Sequence, residues 1–477
     1  MKSRMSLMAL APLAALGLLL GSGPTALANV TVTQLSSDPF TNTTSQHQTQ
    51  VEPDTFSNGS TIVSAFQTGR FTDGGSSDTC WATSTNSGST WTNGCLPGIT
   101  TFLGGGTFAR VSDPAVAYDA SHNVWMITGL AINSSVVGAA VVVSRSTDGG
   151  LTWSNPVVAR SASGSANFDK EWIACDNTST SAFFGHCYIE YDDNGAGNVV
   201  HMTVSTNGGT SWTDHTTSAT GLGGQPVVRP NGTVLVPYES NSGQIRSFRS
   251  TTGGTSWNAT VLVSTIQDHA VAGNIRTEPL PSAEIDSAGT AYVIWQDCRF
   301  QSGCPANDIV MSKSTSETTW GAVTRITSDG GDHFIPGIGV DKSFSGSTAR
   351  LAVTYYRYPT ASCTAATCQL TVGYTSSTNG GTSWAAPTQL AGPMTLSWLA
   401  STTQGVMVGD YISTSISGGL AWPVFAIATA PTSGTFHESM FTPTGGLAIS
   451  GGALRAAATP QVTSGHRPTA TPTRRAR

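Results

Sequence analysis

One eight-residue figure recurs along the chain and constrains its fold more than any other feature. It reads Ser-Thr-Asp-Gly-Gly-Leu-Thr-Trp at residues 146–153, and every copy ends on a tryptophan. Full-length copies stand at residues 84–91, 205–212, 250–257 and 377–384, and a shortened copy stands at residues 314–320. A figure that returns in this way predicts a repeat architecture in which each copy marks one supersecondary unit.

The composition of each copy predicts a tight hairpin turn. The third position is Asp or Asn in four copies, and such a short side chain accepts hydrogen bonds from backbone N–H groups further along the turn. The glycines that follow supply the positive φ that a sharp reversal needs. The tryptophan buries a large apolar surface beside the turn. We therefore interpret the figure as a device of the fold rather than as a site of chemistry.

A second repeated pattern lies between these turns. A polar or acidic residue precedes a short strand, a turn follows, and a more apolar second strand comes next. The seven instances begin at Glu52, Asp113, Asp169, Gln225, Glu278, Asp332 and Gly409. The first six lead to a third strand and a tryptophan turn, whereas the seventh has no such turn. Four short strands per unit predict a closed or radial all-β fold.

The tryptophan figure, S-x-D-x-G-x-T-W, resembles the Asp-box of bacterial neuraminidase (BNR) repeats. This resemblance is to the sialidase/neuraminidase superfamily and covers most of residues 47–450. It implies an all-β fold, a single β-propeller of four-stranded antiparallel blades. The seven instances of the second pattern favour seven blades, and six is the alternative because the catalytic domains of sialidases have six. We expect the strand at residues 30–33 to complete the last blade, which removes an open sheet edge.

The two ends of the chain differ in composition from the rest. Lys2 and Arg4 precede an apolar run over residues 7–20 and a small-residue cleavage site at residues 26–28, which is typical of a secretory signal peptide. The run is too short for a membrane span. We expect a signal peptide over residues 1–28, the propeller over 29–454, and a disordered basic tail over 455–477, where five arginines occur without an acid. The mature protein is expected to be secreted and extracellular.

The eight cysteines fall into neighbouring couples. The couples are Cys80 and Cys95, Cys175 and Cys187, Cys298 and Cys304, and Cys363 and Cys368. Eight cysteines allow 105 pairings, but the clustering in an exported chain favours local disulfides. No couple has the C-x2-C spacing typical of zinc sites, so we expect no metal.

Charge and motif content restrict the partners. A formal net charge of −6 over 477 residues favours neither nucleic acid nor an anionic membrane. No glycine-rich loop leads from a strand into a helix to hold phosphates, so we expect no cofactor. We expect a monomer whose partner is a glycan or another carbohydrate.

The propeller register predicts where polar side chains meet. The first strand of each blade starts at the face that carries the central depression, which is the usual site in propellers. The strand starts place these residues around one opening: Glu52, Asp113, Asp169, Glu171, Gln225, Glu278, Asp332, His333 and Asp410. Loops between second and third strands bring further residues to the same face: Arg70, Tyr191, Asp192, Asp193, Tyr238, Glu239, Asp297, Arg299, Arg357 and Tyr358.

The resemblance also implies roles. Sialidases use a Tyr nucleophile, which a Glu assists, an Asp as acid/base, and three arginines that clamp the substrate carboxylate through paired hydrogen bonds. The implied catalytic residues are Asp113 as the acid, Glu278 as the assisting carboxylate, and Tyr358 or Tyr411 as the nucleophile. The implied substrate-binding residues are Arg276, Arg299 and Arg357, with Arg110 and Arg70 in reserve. The chain departs from the family pattern, because no Phe/Tyr-Arg-Ile-Pro stretch, which holds the first arginine in the family, precedes the first turn.

Two functions follow from these expectations. The first is a secreted sialidase-like glycoside hydrolase that acts on a terminal acidic sugar of a glycan. The alternative is a non-catalytic propeller that binds carbohydrate or protein at its central cup, because propellers host many unrelated functions. Three guanidinium groups that converge beside a Tyr–Glu pair and an Asp would favour the enzyme, and scattered arginines would favour binding.

Overall fold

The computed structural model of this protein describes residues 30–452, and its regular structure is almost entirely antiparallel β-strand. Short 3-10 helices lie at Asn194–Ala196, Ala272–Asn274, Gly346–Thr348 and Leu396–Trp398. The expected signal peptide and basic tail lie outside the described residues. Within residues 30–452, no helix has the length and apolar character that crossing a membrane requires.

After a first strand β1 (Val32–Gln34), six consecutive units of four strands follow. Unit 1 comprises β2 (Gln50–Asn58), β3 (Thr61–Arg70), β4 (Ser76–Ser84) and β5 (Thr92–Cys95). Unit 2 comprises β6 (Arg110–Asp119), β7 (Val124–Ile132), β8 (Gly138–Ser146) and β9 (Val157–Ser161). Unit 3 comprises β10 (Phe168–Cys175), β11 (Cys187–Asp193), β12 (Val199–Ser205) and β13 (Thr213–Leu222).

The next three units repeat this order. Unit 4 comprises β14 (Val227–Val228), β15 (Val234–Ser240), β16 (Gln244–Ser250) and β17 (Val261–Thr265). Unit 5 comprises β18 (Ser282–Ile285), β19 (Ala291–Asp297), β20 (Asp308–Ser314) and β21 (Thr324–Arg325). Unit 6 comprises β22 (Asp332–Val340), β23 (Leu351–Tyr358), β24 (Gln369–Ser377) and β25 (Thr388–Thr395). Each unit is a meander in which consecutive strands pair.

The last sheet joins the two ends of the described chain. It follows a two-stranded hairpin, β26 (Ala400–Thr402) and β27 (Gly405–Met407), and contains β28 (Ser413–Ser417), β29 (Leu420–Thr432), β30 (Thr435–Pro443) and β31 (Leu447–Ala448). Strand β1 pairs antiparallel with β30, with Val32 opposite Pro443. The prediction that the N-terminal strand completes the last sheet is confirmed by this pairing.

The first strands of the units follow one another around a common axis. Each of β2, β6, β10, β14, β18 and β22 contacts the first strand of the next unit, and β28 contacts both β22 and β2. The first strands therefore form a closed circle, and the side chains near their starts are brought toward one another.

The tryptophan turns connect the third and fourth strands of units 1 to 6. In unit 2, Ser146 Oγ accepts the Gly150 N–H at 2.9 Å, and Asp148 Oδ1 accepts the Thr152 N–H at 3.0 Å. Gly150 has φ 82°, and a Cβ there would lie 2.8 Å from Val63 of unit 1, so the position requires glycine for both reasons. The turns are structural, as the sequence predicts.

The apolar core is divided among the interfaces between neighbouring units. Between units 1 and 2, for example, Val63 and Trp81 pack in one cluster with Ile127 and Trp153. The Trp81 and Trp153 ring centroids lie 6.3 Å apart. Because each unit buries both faces against its neighbours, a chain of this length needs no single large core.

All four cysteine couples form disulfides: Cys80–Cys95, Cys175–Cys187, Cys298–Cys304 and Cys363–Cys368. Cys80–Cys95 joins adjacent strands of unit 1, and Cys175–Cys187 joins adjacent strands of unit 3. The prediction of local pairing is confirmed.

Candidate functional site

A bulge near the start of four first strands positions several charged side chains. The strand register shifts at this point in β2, β6, β10 and β22. At each bulge a residue other than glycine has a positive φ: Glu52 (55°), Asp113 (50°), Lys170 (36°) and Ile335 (50°). Three of the four residues are charged, whereas unit 6 has an isoleucine at this position. The bulge is thus part of the fold, and units 1 to 3 use it to direct charged groups toward the axis.

Eight side chains meet at the start of the first strands and form what we term the central cluster: Glu52, Arg70, Asp113, Lys170, Glu171, Arg276, Asp410 and Tyr411. Arg276 and Asp410 form an ion pair. The charges of Asp113, Asp410, Arg276 and Arg70 all act on Glu52. None of the eight residues is more than 7% exposed, so the cluster is closed to solvent in this conformation.

Burial changes the acidity of the carboxyl groups in and beside the central cluster. Burial, together with the negative charges of Asp113 and Asp410, raises the pKa of Glu52 to about 8. The pKa of Glu171 also lies well above its usual value, first because of burial and then because of the charge of Asp113. Asp54, two residues after Glu52, has a pKa raised by burial to about 6. These groups therefore hold protons under conditions in which exposed carboxyl groups are ionised.

Tyr411 lies among these carboxyl groups. Its hydroxyl donates a hydrogen bond of 3.0 Å to the carbonyl oxygen of Pro114. Its pKa is raised well above the usual value by burial and then by the charges of Glu52, Asp113 and Glu171. The Lys170 ammonium lies 3.7 Å from the centroid of the Tyr411 ring. A phenol, carboxyl groups and a cation thus share one buried space.

Arg70 and Arg276 supply the two guanidinium groups of the central cluster. Burial, followed by the charge of Arg276, lowers the pKa of Arg70 to about 10, so Arg70 remains a cation at neutral pH. The β26–β27 hairpin contacts both arginines: Arg70 Nε contacts Met407 Sδ at 3.3 Å, and the backbone N–H of Arg276 donates to Val406 O at 2.8 Å. The tip of the hairpin is held by the Thr403 N–H, which donates to Thr72 O at 2.9 Å.

Four of the nine predicted site residues, reserves included, lie outside this cluster and have local partners. Arg110 pairs with Asp73 in the turn between β3 and β4 and lies over the Phe71 ring. Arg299 pairs with Asp297 at 2.7 Å, beside the Cys298–Cys304 disulfide. Arg357 pairs with Asp329 at 3.1 Å, and the Tyr358 hydroxyl donates to Ala272 O at 3.3 Å. Of the predicted residues, Asp113, Arg276 and Tyr411 therefore lie together in the central cluster. Arg70, one of the two reserve arginines, lies there as well.

The remaining predicted residue, Glu278, is half-buried and lies before the strand start at which the sequence pattern placed it. Equivalent hydrogen bonds join the first strands of neighbouring units. In units 1 and 2 the Val116 N–H donates to Asp54 Oδ2, and in units 5 and 6 the Ile338 N–H donates to Ser282 Oγ. Ser282 therefore corresponds to Asp54, and Pro281 rather than Pro279 corresponds to Pro53, which precedes Asp54 in the bulge of β2. Two Pro residues close together made the register of unit 5 ambiguous in the sequence.

Sequence reasoning did not select three residues in or near the cluster, namely Lys170, Asp54 and Glu190. Glu190 is fully buried on β11, and burial raises its pKa well above the usual value. Lys170 had one available signal: it is a lysine inside a repeated strand start in a chain with only 10% charged residues. Nothing in the pattern marked Glu190, because it lies on a second strand.

An axial cavity of about 480 Å³ lies along the remainder of the first strands. Its lining begins at Asp54 and Trp172, just after the bulges, and continues to Asn58 and Lys342 at or beyond the far ends of the strands. Trp172 separates the cavity from the central cluster, because its ring centroid lies 5.1 Å from that of Tyr411. The molecule thus has a closed charged region at one end of its axis and an accessible cavity toward the other.

No protein-family model matches the sequence, and no curated protein matches it. Similar solved structures include a protein of unknown function from Dyadobacter fermentans (15% identity, TM-score 0.48, covering 74% of this chain and 99% of that chain). Another is the intramolecular trans-sialidase from Ruminococcus gnavus (11% identity, TM-score 0.46, covering 69% of this chain and 92% of that chain). A third is the GH93 α-L-arabinofuranosidase of Fusarium graminearum (11% identity, TM-score 0.46, covering 87% of this chain and 97% of that chain). We base the proposed function on the side chains of this chain, because identities and scores of this size do not specify an activity.

Proposed function

We propose that this protein is a secreted seven-bladed β-propeller that acts as a sialidase-like glycoside hydrolase, and that its reacting groups belong to the central cluster. The blade number is supported by the circle of first strands, which includes β28 with β1 as the outermost strand of its sheet. Secretion is supported by the signal-like N-terminus of the sequence and by four disulfides, which persist in oxidising compartments.

One observation carries the proposal: Tyr411, two guanidinium groups and carboxyl groups with raised pKa values share one buried cluster. Enclosing so many ionisable groups costs stability unless they are well paired. Groups with strongly shifted pKa values concentrate at functional sites. A structural explanation would account for the Arg276–Asp410 pair, but it gives no reason for Glu52, Asp113 and Glu171 to lie together.

The residues of the cluster suit the roles that such a hydrolase requires. Tyr411 is the nucleophile in this proposal, and the ionised form of Glu52 or Glu171 assists it by accepting the phenolic proton. Asp113 is the acid that protonates the leaving oxygen. Tyrosine suits an anionic substrate because its attack, unlike that of a carboxylate, does not bring a second negative charge against the substrate carboxylate.

The acidic-sugar specificity rests on Arg70, Arg276 and Lys170. Guanidinium groups bind carboxylates through paired hydrogen bonds. We expect turnover to increase as the pH rises from about 6 toward 8, since Glu52 must lose its own proton in this range before it can accept one from Tyr411.

The substrate would enter where the β26–β27 hairpin now covers the cluster. The hairpin contacts the guanidinium group of Arg70 and the backbone of Arg276. It is held by one backbone hydrogen bond to Thr72 and by the side chain of Gln46, which bonds to the backbone of Ser401. Displacement of such a short hairpin is the kind of conformational step that admits substrate and then excludes water.

The test is hydrolysis of a fluorogenic sialoside by the mature protein, compared with neutral aryl glycosides. We expect release of the fluorophore from the sialoside and a loss of at least 100-fold with Tyr411→Phe, which removes the nucleophilic oxygen. Tyr374→Phe is the matched control, because Tyr374 lies on β24, away from the cluster, and its hydroxyl bonds to Ala448 O. No release by the wild-type protein, or equal release by both Tyr411 forms, would contradict the proposal.

A further inference from the structure

The axial cavity has the size and enclosure of a ligand-binding site. Its volume of about 480 Å³ lies within the range of small-molecule pockets, roughly 300 to 1,000 Å³. First strands from all around the axis contribute to its wall, including Thr55 of β2, Ala174 of β10 and Ser413 of β28. Such a wall is preformed, because the circle of strands fixes its shape.

The cavity combines an aromatic side chain with hydrogen-bonding groups that are not used by the fold. Trp172 is partly exposed, and its indole N–H makes no hydrogen bond within residues 30–452. Gln225 accepts the Ala283 N–H at 2.8 Å through Oε1, which leaves its amide N–H groups available. An indole ring with adjacent amide groups suits a ligand that has an apolar face and hydroxyl groups at its edge.

The carboxyl groups of the cavity wall are hydrogen-bonded within the fold. Asp54 Oδ2 accepts the Val116 N–H at 2.7 Å, and Glu284 Oε2 accepts from Lys342 Nζ at 2.6 Å. Asp286 accepts from Ala288, Thr290, Tyr292 and Gly346, so both of its oxygens are engaged. No guanidinium group lines the described cavity. An anion would therefore find no available cation, and a cationic ligand would compete with existing partners.

We propose that the axial cavity is a second binding site, distinct from the central cluster, and that it takes the end of a neutral sugar chain. A pyranose presents C–H groups on its face and hydroxyl groups at its edge, and each hydroxyl both donates and accepts. The indole of Trp172 contacts the face, and the Gln225 amide binds the edge. Asn58 and the Glu284–Lys342 pair lie at the mouth, where Lys342 is 52% exposed, and contact the following sugar unit.

This site would give the protein a second point of attachment to a glycan. Turnover of an acidic terminal sugar and retention on neutral sugar chains would then depend on different residues at opposite ends of the axis. The binding proposal does not require the hydrolase, because none of its contacts involves a guanidinium group or Tyr411.

The test is binding of the wild-type protein to immobilised neutral and sialylated oligosaccharides, followed by calorimetry with the neutral di- and trisaccharides that score highest. We expect binding to neutral chains, and a loss of at least tenfold in affinity with Ala174→Trp, which fills the partly exposed cavity wall. Leu262→Trp is the matched control, because it adds the same side chain at a residue that is 48% exposed outside the cavity. Thermal melting of each variant establishes that it folds.

Two results would overturn the proposal: no binding to neutral chains at millimolar concentration, or binding to them that Ala174→Trp leaves unchanged in a folded protein. A second variant, Gln225→Leu, removes the amide donors without adding volume, and we expect it to weaken binding by about fivefold or more. Sialoside hydrolysis is measured separately on the wild-type protein. Failure of that assay contradicts the proposed function, and failure of the array contradicts the second site.

Discussion

Two carboxyl groups of this protein, Asp148 and Glu52, differ from their usual acidity in opposite directions. Asp148 lies in an exposed tryptophan turn. Its slight burial acts to raise its pKa, but hydrogen bonds from Thr152, Ser146 and Leu151 outweigh this effect and lower the pKa to about 2. Glu52 lies in the central cluster, where burial raises its pKa to about 8. The turn stabilises the ionised form of Asp148, whereas the central cluster disfavours the ionised form of Glu52.

This difference separates the charges that serve the fold from those that have another role. Each hydrogen bond to Asp148 is local and stabilises a turn that recurs in the other units. Glu52 is buried and lies beside Asp113 and Asp410, so its ionised form is unfavourable there. A carboxyl group whose surroundings disfavour its ionisation does not stabilise the fold. Its presence therefore favours a chemical role for the cluster.

The largest expected effect is that of Arg276→Ala. We expect a loss of about 10²- to 10³-fold in kcat/KM for a sialoside, as for the removal of a transition-state contact. Removal of one partner of a buried ion pair also costs about 3 to 5 kcal/mol of stability. Arg249→Ala, which breaks the half-exposed pair with Glu317, is the control and should alter kcat/KM by less than about twofold.

A double variant separates the two effects of the Arg276 substitution. Arg276→Met with Asp410→Leu replaces both charges with apolar groups, so we expect much of the lost stability to return. Activity should remain low, because the guanidinium group is still missing. If both the activity and the melting temperature returned to wild-type values, Arg276 would have only a structural role, like the residues of the tryptophan turns.

The next largest effect concerns access to the cluster. Thr72→Cys with Thr403→Cys places a disulfide where a backbone hydrogen bond now links the β26–β27 hairpin to unit 1. We expect sialoside hydrolysis to decrease at least tenfold on oxidation and to recover on mild reduction. The wild-type protein treated in the same way controls for its native disulfides. Full activity in the oxidised variant would mean that substrate reaches the cluster by another route.

A smaller effect is the pH dependence of stability that Glu52 confers. Because its pKa rises from 4.5 in the unfolded chain to about 8 in the fold, the folded state binds the additional proton between these values. Stability from this group is therefore fully present below pH 4.5 and is lost as the pH rises through 8. Between pH 6.5 and 8.5 the loss is about 2 kcal/mol.

Urea denaturation at pH 6.5 and 8.5 measures this loss, with Glu52→Gln as the comparison. Glutamine resembles the protonated carboxyl group, so the variant should lose about 2 kcal/mol less than the wild-type protein over this range. Asp54 contributes little there, because its transition is centred near pH 6. An identical decrease in both proteins would show that Glu52 is not the group that titrates.

The smallest effect is expected for Asp148→Asn in the turn. Asparagine occupies this position in three other copies, at residues 86, 207 and 379, and accepts the same backbone hydrogen bonds. We expect a change of less than about 1 kcal/mol at pH 7, since the side chain is exposed. Asp148 stabilises the fold above pH 3.8, and this contribution is lost as the pH falls through about 2. The variant should lack that acid dependence in urea denaturation at pH 2 and 4, and a large loss at pH 7 would assign Asp148 a further role.

The parts of the structure that were predictable from sequence are those set by nearby residues. The turns were predictable because Ser, Asp or Asn, Gly and Trp lie within eight positions of one another. The four disulfides were predictable because each couple is separated by at most 15 residues. The strand at residues 30–33 required one further step, which was the need to complete a sheet that lacked its own fourth strand.

The candidate site was only partly predictable because its members come from distant parts of the chain. Asp113, Arg276 and Tyr411 were selected and lie in the central cluster, together with Arg70 from the reserves. Lys170 was not selected from the sequence. The structure shows that it has a positive φ at a bulge and lies against the Tyr411 ring. No spacing rule distinguishes Arg276, which faces Asp410, from Arg299, which bonds to Asp297 two residues away.

The sequence by itself determined the repeat, the turns, the disulfide partners and the all-β class, because each depends on contacts between residues that are close along the chain. Only the tertiary structure decided which charged groups meet, which of them are closed to solvent, and where an accessible cavity remains. The physical reason is that bulges in separate strands set the direction of each side chain, and the closed circle of strands then determines its neighbours. Glu52 and Arg276 are far apart in the sequence, yet burial in one cluster gives both of them their chemistry.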